Sequence, residues 1–128
     1  MAVLQRPWLP RRMSSRWRAM LVALPVQVDE SNAAGVKASL LAAVQRRPHL
    51  LIADMSRTRL CDWAGAGVLA SAFRRAAQAG TELRLVAPDD YVRRVISVNG
   101  LDQLMPVYMD VPTAWSHCQL EKASTSDR

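Results

Sequence analysis

The segment Leu50-Leu51-Ile52-Ala53 sets four apolar residues side by side, after His49 and before Asp54. A strand with one wet face alternates apolar and polar residues, so an unbroken apolar run of strand length belongs to a strand covered on both faces. Strands of that kind sit in largely parallel sheets with helices packed on each side. This run therefore predicts an α/β domain with a central strand here, and it requires amphipathic helices in the flanking sequence.

Those helices are legible. Upstream, Ser31 or Asn32 stands where a residue caps a helix whose apolar residues Ala33, Val36, Leu40, Leu41 and Val44 keep three-to-four spacing until Arg46-Arg47-Pro48. Downstream, a helix follows Asp62 and runs to about Ala79, with Ala66, Leu69, Ala70, Phe73 and Ala76 inward and Arg74, Arg75 and Gln78 outward. Gly80 then permits a left-handed cap. Leu83 to Ala87 reads as the next strand, Pro88-Asp89-Asp90 as the start of a third helix carrying Val92, Val95 and Ile96, and Met105 to Met109 as an edge strand. A last helix is expected from Val111 to about Leu120. Before all of these, Met20 to Val28 reads as a strand turning at Pro25 into a short hairpin or edge, because proline cannot donate to a central ladder.

The chain has 128 residues, which suits one domain, and it is half apolar and 22% charged, far from the composition of a disordered protein. Its formal charge of +6 is unevenly placed. Residues 1–18 hold Arg6, Arg11, Arg12, Arg16 and Arg18 with no acid, whereas Met20 to Trp115 carry ten Lys and Arg against nine Asp and Glu. The reading is a disordered basic tail over 1–18, a single domain over 19–120 and a disordered polar tail over 121–128. By this count the folded part is expected to show no basic face, and nucleic acid is not its expected partner.

The sequence also narrows the chemistry. Cys61 and Cys118 lie far apart with no CxxC pair, so neither a disulfide nor a zinc site is expected. Ala19 to Val28 after a basic tail imitates an export signal, but Pro25 and Gln27 interrupt it and no small-residue cleavage site is clear. No apolar run approaches the roughly 20 residues of a membrane span. The expected location is the cytoplasm. His49 and His117 have no recognisable catalytic partner, and Cys61 beside Asp62 has no activating cation. No Gly-Lys-Ser element follows Gly65 and Gly67. No catalytic residue, metal or cofactor is expected.

Three local sequences, in order, resemble the STAS domain, the family named for sulphate transporters and anti-sigma-factor antagonists. Leu51-Ile52-Ala53-Asp54-Met55-Ser56 followed by Cys61-Asp62-Trp63-Ala64-Gly65-Ala66-Gly67 is similar to the family's strand, loop and Asp-Ser-Ser-Gly-x-Gly helix start. Leu24-Pro25-Val26-Gln27-Val28-Asp29 resembles its Leu-Pro-x-Glu-hydrophobic-Asp stretch. Leu83 to Pro88, then Arg93-Arg94-Val95 to Gly100-Leu101, gives the third match. The resemblance implies an α/β single domain, with a central mixed sheet of about four to five strands and about four helices.

It also implies a binding role with one departure. In phosphorylatable members the residue after the aspartate is the serine that a partner kinase modifies; here it is Trp63, followed by Ala64. Neither side chain can accept phosphate, so the usual switch is expected to be absent. Asp62 reads as a helix cap that also lines the partner surface, and Gly65 and Gly67 as sites of close helix packing. Trp63 reads equally as an interface anchor or an indole folded back on the domain. Asp29, Ser31 and Asn32 join Asp62, Trp63, Ala64, Gly65 and Gly67 in the expected partner-binding set. Ser56 and Thr58 are weak candidates for substitute phosphorylation. The partner implied is an anti-sigma factor of the serine-kinase type. The alternatives are a degenerate STAS scaffold or regulatory subunit for another protein or small ligand, and nucleic-acid binding through the arginine-rich tail.

Overall fold

The computed structural model describes residues 18–116. The expected tails, His117, Cys118 and the end of the last expected helix lie outside the described residues, apart from Arg18, which opens the described part. In chain order the elements are β1 (Ala19–Ala23), β2 (Gln27–Val28), α1 (Ala33–Gln45), β3 (Leu50–Asp54), β4 (Leu60–Cys61), α2 (Trp63–Ala79), β5 (Glu82–Val86), α3 (Asp90–Val98), a short 3-10 turn (Leu101–Gln103) and β6 (Val107–Tyr108). A fourth helix, α4, begins at 111 and is described to 116.

The main sheet has the order β1-β3-β5-β6, and every pairing in it is parallel. The expected mixed sheet is thus corrected to a parallel one, because each strand returns to the next through a helix rather than a tight turn. The expected hairpin at Pro25 is corrected too. β1 is an edge strand against β3, whereas β2 leaves the main sheet and pairs in parallel with β4. The segment that imitates an export signal is therefore half core strand, with Ala19 to Val22 buried.

Alternation along the strands divides the core in two. Met20, Val22, Leu51, Ala53, Leu83 and Leu85 face α1 and α2, where Val36, Leu40, Val44, Leu69, Ala72 and Ala76 fill the gap. Leu21, Leu50, Ile52 and Val86 face the other way, under Ala114 and Trp115 of α4. The sheet is covered on both sides, as the apolar run in β3 requires.

Arg84 is the residue that the apolar pattern conceals. It pairs across the ladder with Ile52 and its side chain is fully buried. A buried cation is tolerated only when paired and hydrogen-bonded. Its Nε donates to Glu82 Oε2 at 2.7 Å, and Nη1 donates to the Tyr108 hydroxyl at 3.1 Å and the Ala114 carbonyl at 3.2 Å. This fork ties β6 and α4 to β5.

The C-terminal ends of α1 and α2 are closed differently. Gly80 closes α2 as expected, at φ 76°, in the left-handed region that residues with a side chain rarely adopt. At the end of α1 the carbonyls of Arg46 and Arg47 accept from the Arg18 guanidinium, which places a cation on the negative end of the helix.

Candidate functional site

The expected site residues converge where α1 and α2 begin, and the small β2–β4 sheet is what brings them there. Pairing of Val28 with Cys61 draws the start of α1 against the start of α2, and Asp62 N–H donates to Val28 O at 3.2 Å. Asp62 is the N-cap of α2. Its Oδ1 accepts from Gly65 N–H at 3.0 Å while its Oδ2 accepts from Glu30 N–H at 3.3 Å, so one carboxylate holds a helix start and the neighbouring loop together. The backbone amide of Glu30 in this role is invisible in the sequence, since any residue but proline supplies it.

Asp29 organises that loop. Its carboxylate accepts from the Ser31 hydroxyl at 2.5 Å, from Ser31 N–H at 2.9 Å and from the Gln27 amide at 2.8 Å. These bonds, the Ser31 hydroxyl first, hold its pKa below the usual carboxylate value. Asn32 occupies the N-cap position of α1 without a side-chain capping bond. Its amide instead accepts from Asp29 N–H at 2.9 Å and donates to Gln27 O at 2.8 Å. Capping by Asn32 or Ser31 is thus replaced by a closed polar turn over 27–32.

The two glycines, alike in the sequence, part company. A Cβ on Gly65 would sit 2.7 Å from both Cys61 Sγ and Val28 O, so close packing requires glycine there. A Cβ on Gly67 would meet nothing within 4 Å, and the residue is exposed; the expected close packing does not occur at this position. Cys61 is buried against Gly65, and burial together with the Asp62 charge pushes its thiol up to about 11. It is a packing residue with little thiolate to offer.

Trp63, first residue of α2, is 72% exposed, so the indole does not fold back onto the domain. Ala64 beside it is partly exposed. At the start of the small sheet Val26 and Leu60 are half exposed, with Leu60 N–H bonded to Val26 O. These two apolar residues were not singled out by the sequence because two-residue strands carry no period.

Ser56 and Thr58 have different fates. The Ser56 hydroxyl is partly exposed and donates to Asp54 Oδ1 at 2.5 Å. Thr58 is fully buried, its hydroxyl donating to Pro25 O at 2.7 Å, so it locks the loop and cannot be reached by a kinase. Among the described residues no group of three His, Cys, Asp or Glu side chains could hold a metal ion, and no helix is long and apolar enough to cross a membrane.

The family model of the STAS domain matches residues 12–114. The chain belongs to the STAS domain family. This STAS domain is similar in fold to an anti-sigma factor antagonist from Mycobacterium paratuberculosis, with 22% identity, 81% of this chain and 88% of that one covered, and a TM-score of 0.67. The Bacillus anti-sigma factor antagonist SpoIIAA in its unphosphorylated form gives 18% identity, 84% and 93% coverage, and a TM-score of 0.67. The murine anion transporter Solute Carrier 26 family member A9 gives 22% identity and a TM-score of 0.69, with 85% of this chain matched to 19% of that one. No curated protein matches this STAS domain in sequence.

Proposed function

We propose that this STAS domain is a non-catalytic, cytoplasmic antagonist that binds a serine-kinase-type anti-sigma factor at the end built by Asp29, Ser31 and Asn32 with Asp62 to Gly67. Sequestering such a partner frees a sigma factor and raises transcription without contact to DNA. The observation that carries the reading is the exposed Trp63 at the first position of α2, where the family pattern has its phosphoacceptor serine. The Asp62 cap and the packed Gly65 hold the start of α2 in place around it, which supports the reading, while residues 63 and 64 offer no hydroxyl. An exposed indole suits the aromatic centre of a protein interface.

A second reading, a STAS scaffold or regulatory subunit for another protein or small ligand, draws on the comparable fold likeness to the anion transporter. Affinity capture of the tagged full chain and of Trp63→Ser, each followed by mass spectrometry, separates the two. The antagonist reading expects the same serine-kinase-type anti-sigma factor from both, with phosphate at residue 63 in the variant alone. Return of no such protein by either form overturns it in favour of the scaffold.

A further inference from the structure

The loop between β3 and β4 carries a hydroxyl at an exposed tip. Met55 to Thr58 form a turn closed by Thr58 N–H, which donates to Met55 O at 3.0 Å, with Ser56 and Arg57 as its central residues. Ser56 is partly exposed and Arg57 exposed, whereas Met55 and Thr58 on either side are buried. The Ser56 hydroxyl and the Ser56 N–H both donate to Asp54 Oδ1, at 2.5 Å and 3.0 Å, so a single carboxylate oxygen holds the turn to the end of β3.

Past the turn the loop is stitched to residues 25 and 26. The Thr58 hydroxyl donates to Pro25 O, and the N–H groups of Arg59 and Leu60 both donate to Val26 O, at 2.6 Å and 3.2 Å. Those bonds lead directly into the pairing of β2 with β4, which draws the starts of α1 and α2 together. A change at Ser56 is therefore one turn away from the frame of the antagonist site.

From this geometry we infer that Ser56 is a phosphorylation site, and that phosphate on it opens the β3–β4 loop. The site stands on the turn itself; only its consequence, release of an anti-sigma factor, rests on the antagonist reading. Thr58, the neighbouring hydroxyl, is sealed in the interior. Ser31 is exposed at the same end, but its neighbours Asp29 and Glu30 are acids, whereas Ser56 has Arg57 beside it and the Arg59 guanidinium donating to its carbonyl at 3.4 Å. Arginines so placed can take up phosphate oxygens.

In the modification the Ser56 oxygen bonds to the γ-phosphorus of a nucleoside triphosphate, and the bond from that phosphorus to the β–γ bridging oxygen breaks. The nucleoside diphosphate leaves, and the hydroxyl proton passes to Asp54 Oδ1, which already accepts it, and then to water. The product replaces a donor to Asp54 with a group of about −1.5 to −2 charges. Repulsion from Asp54 then drives the phosphate outward toward Arg57 and Arg59, and the turn is pulled off the end of β3. The bonds to Pro25 and Val26 go with it.

The test has two arms on the full chain. Fragment mass spectrometry of the tagged chain purified from its own cells should find phosphate at residue 56; phosphate on Ser31 alone, or none at 56, would overturn the site. In the second arm, Ser56→phosphoserine is introduced during translation and amide exchange is compared with the unmodified chain. Exchange at Thr58 and Leu60 should accelerate by about tenfold or more, with Ile52 in β3 unchanged. Asp54→Asn in the phosphoserine chain keeps an acceptor oxygen without the charge, and should cancel most of that acceleration. Ser56→Asp, with a single charge, covers the case in which the phosphoserine chain does not fold. Equal exchange in both forms, or acceleration that Asp54→Asn leaves untouched, would overturn the opening by repulsion. Phosphate at 56 with a loosened loop, in a chain that captures no serine-kinase-type anti-sigma factor, would sink the antagonist reading and uphold the switch.

Discussion

At the N-terminal ends of α1 and α2 the carboxylates of Asp29 and Asp62 and the amide of Asn32 are spent on bonds within the domain, whereas toward the C-terminal ends Arg47, Arg74 and Arg75 form no ion pair among the described residues. The same two helices thus present a closed end and an open one. At the closed end most polar groups are structural, and only what projects from the frame, Trp63 above all, is left to meet a partner. At the open end the charge itself faces outward. An identical residue type therefore means different things at the two ends, and substitutions can separate frame from surface.

The largest effect is expected at Gly65. Its added methyl would be driven into Cys61 Sγ and the Val28 carbonyl, and the backbone oxygen cannot swing aside. Gly65→Ala should destabilise the domain by about 2 kcal/mol, the overpacking loss outweighing the helix propensity gained. Urea unfolding measures it, and a neutral result would mean that the closed end is not closed. Asp62→Ala comes next. It removes the α2 cap and the acceptor for Glu30 N–H together, and a loss of about 1 kcal/mol is expected by the same method. The smallest effect has the opposite sign. Gly67 is helical, exposed and free of neighbours, so Gly67→Ala should raise stability by about 0.5 to 1 kcal/mol, seen as a higher Tm. A drop at Gly67 would erase the distinction between two glycines only two residues apart.

Much of the fold is legible in the amino-acid sequence. The apolar run in β3, the three-to-four spacing in α1 and α2, the cap at Asp62 and the left-handed Gly80 depend on local pattern, and all are in place. What escapes a sequence reading depends on the meeting of distant segments. β2 and β4 are two residues each and pair across more than thirty positions, so no periodicity marks them, and with them go the strand direction, the contact that sets Gly65 apart from Gly67 and the burial of Thr58. The burial of Arg84 escapes as well, because its partners Tyr108 and the Ala114 carbonyl come from later elements. The clustering of Lys37, Arg47, Arg74 and Arg75 along α1 and α2, which contain no acid, is hidden for a simpler reason: a net count sums over positions that the fold holds apart.

The central claim is that Trp63 stands on the frame as a partner contact and not as part of it. The most direct measurement is the affinity of Trp63→Ala for the captured anti-sigma factor, set beside its urea unfolding midpoint. The account predicts a loss of about 2 kcal/mol in binding, as for a buried aromatic anchor, with stability unchanged within about 0.5 kcal/mol. Unchanged affinity, or a fall in stability that matches the fall in binding, would contradict it.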